Sequence, residues 1–180
     1  MAKVTTRTGD LGYTGLLGSE RVPKYDARIE ALGLVDEATS ALGLARASVS
    51  EPRVRSLILQ QQEALYRLMA ELATTPDAAG KLKMTGISEA NVSALEAATE
   101  EIKRDVDIAN RFIIPGGTMA GAALDLARTV IRRAERHLAQ MVHRGQIGNS
   151  YVLPFVNRLS DLVFVLARYV ERNQPTEAQP

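Results

Sequence analysis

Between Ala27 and about Ala47, Ile29, Leu32, Val35, Thr39 and Leu42 recur at steps of three and four, the spacing of one buried helical stripe. A second stripe of Val54, Leu57, Ile58, Gln61, Leu65, Leu68, Met69 and Leu72 begins near Pro52, a residue suited to a first helical turn because its missing N–H has no partner there. The segment TTPDAAGKLKMTG breaks it. Ser88 is placed to cap a third helix, with Ile87 stapling onto Val92, and Val92, Leu95, Thr99, Ile102 and Val106 carry the stripe to an end before Pro115. A fourth helix is expected after Gly116-Gly117-Thr118, running to about Arg144, where Gly145 and Gly148 mark the exit. The fifth is expected from about Pro154 to Arg172, burying Leu159, Leu162, Val163, Leu166 and Val170.

Strand signals are scarce, and neither a repeat nor a low-complexity block interrupts the pattern. Five amphipathic helices with short connections predict an all-α, five-helix antiparallel bundle, with residues 1–180 as one domain. The first 25 residues lack helical periodicity and are expected to form an irregular loop, and the tail from residue 173 is expected to be flexible.

Composition narrows the function. Hydrophobic residues at 46% and charged residues at 24% fit a folded globular chain. Lys plus Arg (22) nearly balances Asp plus Glu (21), so no general attraction to nucleic acid or anionic membrane is expected. The absence of cysteine excludes disulfides, thiolate metal sites and a thiol nucleophile, and suits a reducing cytoplasm. No stretch approaches the roughly 20 apolar residues of a membrane span, and the first residues carry no signal-peptide core.

Four segments can carry chemistry. The first is Thr5-Thr6-Arg7-Thr8-Gly9-Asp10 with Gly12, Thr14, Gly15, Gly18 and Ser19. Such a loop can turn several N–H groups toward a phosphate, with Arg7 and Lys24 nearby; it can equally be a turn-rich arm capped by its own hydroxyls. It lacks G-K-[ST], so it is not a Walker A loop. On the fourth helix Arg128, Arg132, Glu135 and Arg136 share one face, opposite Ala127, Val130, Ile131, Ala134, Leu138 and Met141. Guanidiniums four residues apart can grip a polyphosphate, with Glu135 holding Arg128 or Arg132 in place; the alternative is a solvated face of ordinary ion pairs. On the fifth helix Asn157, Asp161 and Arg168 lie on or near a face away from the Leu/Val stripe, where Asn157 can read an adenine edge or a ribose, or cap the helix start. The run Phe112–Gly117 is either an apolar wall for a large ligand or a turn between helices. His137 and His143 stand six apart, which is not metal-pair spacing, and no metal site is expected from protein ligands. With no nucleophile motif evident, any nucleophile is expected to come from a substrate or cofactor.

In this order, T-R-T-G-D-L-G-Y-T at Thr6–Thr14, R-V-P-K-Y-D-A-R-I-E-A at Arg21–Ala31, V-D-E at Val35–Glu37, F-I-I-P-G-G at Phe112–Gly117, R-T-V-I-R-R-A-E-R at Arg128–Arg136 and N-R-L-S-D at Asn157–Asp161 resemble the PduO-type cob(I)alamin adenosyltransferases. The resemblance spans nearly the whole chain. It implies a homotrimer of five-helix bundles that moves the adenosyl group of ATP onto cob(I)alamin, with Mg²⁺ and with sites between subunits. Thr6, Arg7, Thr8, Gly9, Asp10, Leu11, Gly12, Tyr13, Thr14 and Lys24 would hold the triphosphate; Arg132, Arg133, Glu135, Arg136 and Asn157 would complete the nucleotide site. Asp36 would pair with Arg128 across the interface, and Phe112 would press on the lower corrin face, displacing the dimethylbenzimidazole ligand so that cobalt becomes four-coordinate. The implied partners are a reductase that supplies cobalt(I) and an adenosylcobalamin-dependent enzyme that uses the product.

The chain departs from the family pattern at Thr5, where Tyr is usual, and at Ala38-Thr39, where Leu-Asn follows V-D-E. The second departure lies one turn from Asp36 and bears on corrinoid preference. Two other classes compete with the enzyme reading. One is a carrier that binds ATP or adenosylcobalamin without turnover; the other is a structural bundle whose arginine face is plain surface.

Overall fold

The computed structural model describes residues 5–81, 85–108 and 112–173. Among these residues the chain forms five α-helices: α1 (Ala27–Ser48), α2 (Pro52–Ala73), α3 (Glu89–Lys103), α4 (Met119–His143) and α5 (Val152–Glu171). Most of the tail lies outside the described residues.

Local chemistry explains the ends. Asp26 caps α1 by accepting from the Arg28 N–H at 2.8 Å, and Thr118 caps α4 through its hydroxyl, which accepts from Gly121 N–H at 2.8 Å. Pro52 opens α2 where no donor is lost. Before α3, Ser88 donates from both its N–H (3.0 Å) and its hydroxyl (2.9 Å) to Asn91 Oδ1. Two expected boundaries shift. α5 begins at Val152 because Pro154 stands within the first turn, where the N–H it lacks would have had no intrahelical partner. α3 closes at Lys103, so Val106 packs from beyond the helix.

The α4 helix is central, packing against α1 and α5; α1 in turn packs on α2, and α5 on α3. The apolar face expected for α4 is the buried one, with Ala127, Val130, Ile131, Ala134, Leu138 and Met141 inside. Phe155, Leu159 and Leu162 of α5 meet it with no exposed surface, each side chain contributing about 1.5–3 kcal/mol by leaving water. His137 Nε2 lies 3.0 Å from the carbonyl of Ala27, which can only accept, so this nitrogen carries the proton and ties α4 to the start of α1. Among the described residues no helix is long and apolar enough to cross a membrane.

The N-terminal loop holds an element that periodicity missed. Tyr13–Gly15 (β1) pairs antiparallel with Arg21–Pro23 (β2), Thr14 opposite Val22. Three-residue strands are too short to display alternation, which is why the sequence shows only an irregular lead-in.

Arg168 departs furthest from its expected place. Its side chain is 5% exposed and reaches Asp125 of α4 at 2.5 Å and Glu171 at 2.9 Å, both carboxylates being equally buried. A guanidinium this deeply buried, lying over the Phe164 ring, cannot reach water, so it pairs with two acids. Glu171 also accepts from the Thr118 N–H at 3.2 Å, linking the end of α5 to the cap of α4.

Removing Arg168 would leave Glu171 a buried charge without a cation and Asp125 with only the partly exposed Arg128. Arg168→Ala is expected to cost about 3–5 kcal/mol in urea unfolding, whereas Arg158→Ala at a surface pair costs under about 1 kcal/mol. A loss below about 1 kcal/mol for Arg168→Ala would show that the buried network does not hold the two helices together.

Candidate functional site

Three groups of side chains stand out against this frame. In the N-terminal loop, Gly12 takes φ +81° and Arg7 φ +61°, left-handed conformations that curl the chain back on itself. Gly12 N–H donates to the Gly9 carbonyl at 3.1 Å, and Lys24 N–H donates to the Gly12 carbonyl at 2.9 Å. Arg21 fixes the curl from outside, its Nη2 donating to the carbonyls of Thr8 (2.8 Å) and Tyr13 (3.2 Å). A side chain at Gly9 would stand 3.1 Å from Lys24 Nζ, so the ammonium lies directly against the loop backbone. The hydroxyls of Thr6 and Thr8 sit 3.0 Å apart. Thr6, Thr8, Asp10, Leu11, Gly12, Tyr13 and Lys24 are exposed, Gly9 and Thr14 half-buried. Donors and a cation therefore line one open turn, as an anion requires.

The second group is the polar face of α4 with its α5 neighbours. Glu135 is half-buried; its Oε1 accepts from Asn157 Nδ2 at 2.8 Å, while its Oε2 lies 3.7 Å from Arg132. Asn157 is therefore no helix cap. It stands a turn inside α5 and orients Glu135. Arg133 pairs instead with Glu37 of α1, and Arg136 is exposed. Arg128 Nε reaches Asp125 Oδ1 at 3.3 Å, so it hangs from the same carboxylate that holds Arg168. The Phe164 ring receives both guanidiniums, Arg128 at 6.0 Å and Arg168 at 5.4 Å from its centroid. A cavity of about 350 Å³ opens beside this face, with Lys103, Arg128 and Arg132 facing Glu100 and Asp161 around Phe164.

The third group is the connection into α4. Phe112 is 96% exposed and Ile114 half exposed, although both are large and apolar. Gly116 takes φ +123°, and a Cβ on Gly121 would fall 2.0 Å from Glu171 Oε1. The chain can thus pass tightly over the Glu171 carboxylate, which leaves Phe112 outside the bundle.

Several expected residues meet and others do not. Arg132, Glu135 and Asn157 form one connected set, and Arg128 joins the buried Asp125–Arg168 pair. Asp36 is exposed on α1 beside the Glu37–Arg133 pair, and no ion pair links it to Arg128 within the chain. Among the described residues no hydrogen bond or ion pair joins the Thr6–Thr14 loop to the arginines of α4. Asp125 and Glu171 were not foreseen. Their signal was Arg168 itself, one charge inside the apolar run Phe164–Val170 and so in need of buried acids.

The Asn157–Glu135 bond is the most testable contact of the polar face. Asn157→Leu leaves a half-buried carboxylate without its donor and is expected to cost about 1–3 kcal/mol in chemical denaturation, against no more than about 0.5 kcal/mol for exposed Arg136→Ala. Equal effects would mean that Asn157 does not orient Glu135.

Comparison with known proteins fits this arrangement. The sequence model of the family described as Cobalamin adenosyltransferase matches residues 4–170. The Corrinoid adenosyltransferase of Citrobacter freundii is 38% identical over 171 residues, covering 95% of this chain and 96% of that protein. That of Bacillus subtilis is 36% identical, over 93% of this chain and 86% of the relative. The chain spans about half (48%) of the Corrinoid adenosyltransferase PduO of Salmonella typhimurium, at 37% identity over 92% of its own length. Among solved structures, a variant of the PduO-type ATP:corrinoid adenosyltransferase from Lactobacillus reuteri, complexed with cobalamin and ATP, superposes with a TM-score of 0.89 at 33% identity, covering 98% of this chain and 99% of the other. With a family match over nearly its whole length, the chain belongs to the cobalamin adenosyltransferase family.

Proposed function

We propose that this chain transfers the 5′-deoxyadenosyl group of ATP to cob(I)alamin or a related reduced corrinoid, yielding adenosylcobalamin and triphosphate. The observation that carries this reading is the near full-length likeness to an ATP:corrinoid adenosyltransferase complexed with both cobalamin and ATP. The chemistry needs no nucleophile from the protein. The electron pair of cobalt(I) in the substrate attacks the ribose 5′ carbon, the carbon–oxygen bond breaks, and triphosphate leaves with that bond's electrons.

The protein's part is positioning and charge. The curled Thr6–Thr14 loop and Lys24 hold the triphosphate through backbone N–H groups, hydroxyls and an ammonium. Arg132, Arg133 and Arg136 stabilise charge that gathers on the leaving group, and Glu135, held by Asn157, keeps Arg132 in place. Exposed Phe112 offers an apolar surface to the lower corrin face. Arg128, anchored on Asp125 yet 27% exposed, keeps guanidinium surface for Asp36 of a neighbouring copy. The reading includes a homotrimer whose sites lie between subunits. Among the described residues no hydrogen bond or ion pair joins the loop to the arginine face, which is the arrangement that a site shared between subunits calls for.

Among the described residues no three His, Cys, Asp or Glu side chains converge on a metal site. Mg²⁺ brought in on the triphosphate would neutralise phosphate charge, with Asp10 in the loop and Glu37 and Glu135 beside the arginines as the carboxylates that could hold its waters.

In an anaerobic assay with MgATP and chemically reduced cobalamin, loss of the cob(I)alamin absorbance should accompany formation of adenosylcobalamin and triphosphate. Arg132→Ala is expected to lower kcat by about 10²–10³. Binding of ATP without a cobalt–carbon bond would point to a carrier instead. No ATP-dependent rise in melting temperature would point to a structural bundle, since a ligand at 100 times its Kd adds about 2.7 kcal/mol.

A further inference from the structure

We infer that Thr75 and Asp77, on the connection leaving α2, are positioning residues that set where the N-terminal loop stands over the bundle. The inference rests on the reading above, in which that loop holds the triphosphate.

The loop runs straight into β1, so whatever holds the β1–β2 turn also holds the loop. Neither strand packs broadly on a helix among the described residues. The turn is instead clamped to the end of α2. Leu17 N–H donates to the Ala73 carbonyl at 2.8 Å, and Thr75 N–H donates to the Leu17 carbonyl at 3.1 Å. Two residues further, Asp77 Oδ2 accepts from both the N–H (3.3 Å) and the hydroxyl (3.0 Å) of Ser19. Its other oxygen takes the Thr75 hydroxyl at 2.5 Å. That hydroxyl also lies 3.1 Å from the Leu17 carbonyl, but it has one proton, and the charged acceptor is the stronger.

Two further features make the clamp specific. Thr75 is 1% exposed, so its hydroxyl has no water to turn to. Gly18 sits at φ +153° over it, and a Cβ there would stand 1.8 Å from Thr75 Oγ1, so the turn closes only over glycine. Hydrogen bonds from Thr75 first, then Ser19, hold the Asp77 carboxyl below its ordinary range, which keeps it an acceptor at neutral pH.

None of these groups belongs to the motifs that carry the family resemblance. Their effect on turnover is through the loop: phosphate donors shifted by an ångström lose their alignment, while the corrin side, built from Phe112 and the α4 face, stays as it was. Because Asp77 itself is exposed, its loss should move the loop without unfolding the bundle.

The test compares Asp77→Ala, Thr75→Val and Thr75→Ser with Lys24→Ala as a loop control, all as full chains under anaerobic steady-state conditions. Each substrate is varied with the other saturating. Asp77→Ala and Thr75→Val should raise the KM for ATP about tenfold and leave that for cob(I)alamin within about twofold, while Thr75→Ser, which keeps the hydroxyl, stays near the parent. If Lys24→Ala raises the ATP KM but neither clamp variant does, the inference fails and the loop reading stands. If none of the three moves it, the loop reading fails and takes the inference with it. A matching rise in both KM values, with a lower melting temperature, would make the clamp a general stability element and overturn its positioning role.

Discussion

One buried guanidinium organises this molecule. Arg168 sits on α5 where water cannot reach it, and the energetic cost of that burial is offset only by the two acids that converge on it, Asp125 and Glu171. Because Asp125 belongs to α4, the pair fixes the register of the two helices at one end. Because Asp125 also takes Arg128, the same contact aims a guanidinium toward the polar face. Glu171 then uses its remaining oxygen on the Thr118 N–H, which sets the start of α4 and the exit of the Phe112 segment. A structural network thus passes its geometry to the places where the proposed chemistry happens.

The proposed nucleotide side is held by different means. Its loop is curled by left-handed residues and by Arg21, and it is attached to the bundle through a short hairpin whose turn is clamped beyond α2. The α4 helix is held by its buried face, with Arg132, Arg133 and Arg136 standing at the surface. The loop side is fixed by hydrogen bonds near the surface and is the part more open to adjustment. Such a division suits a reaction in which one substrate is large, flat and apolar and the other is a flexible polyanion.

Much of this was legible in the sequence because it depends on local rules. The stripes of α2 and α4 and the cap at Ser88 follow from spacing and from a hydroxyl placed before an apolar run, whereas in α1 only Val35 and Leu42 of the expected stripe are fully inside and Ala31, Ala38 and Ala45 complete the buried face. The arginine face of α4 was legible for the same reason, as the complement of Ala127, Val130, Ile131 and Ala134. What escaped is long-range. Arg168 belongs to a helix whose face angle put it with Asn157 and Asp161, and only the tertiary arrangement shows that α4 supplies a buried acid there. The hairpin strands are too short for a period, and the clamp joins Ser19 to Asp77 across 58 positions. No single sequence exposes that pairing. The proposed site has the same limit, since its two halves are not linked within one chain.

That separation makes subunit complementation the most direct test of the account. Lys24→Ala weakens the loop's hold on ATP and Arg132→Ala slows the helix face, so at limiting ATP each variant alone should have little activity. Co-refolded in equal amounts, they should regain about a quarter of the parent activity if each site pairs the loop of one subunit with the α4 of the next around a closed ring. Activity no higher than that of the separate variants would contradict the account and place the whole site within one chain.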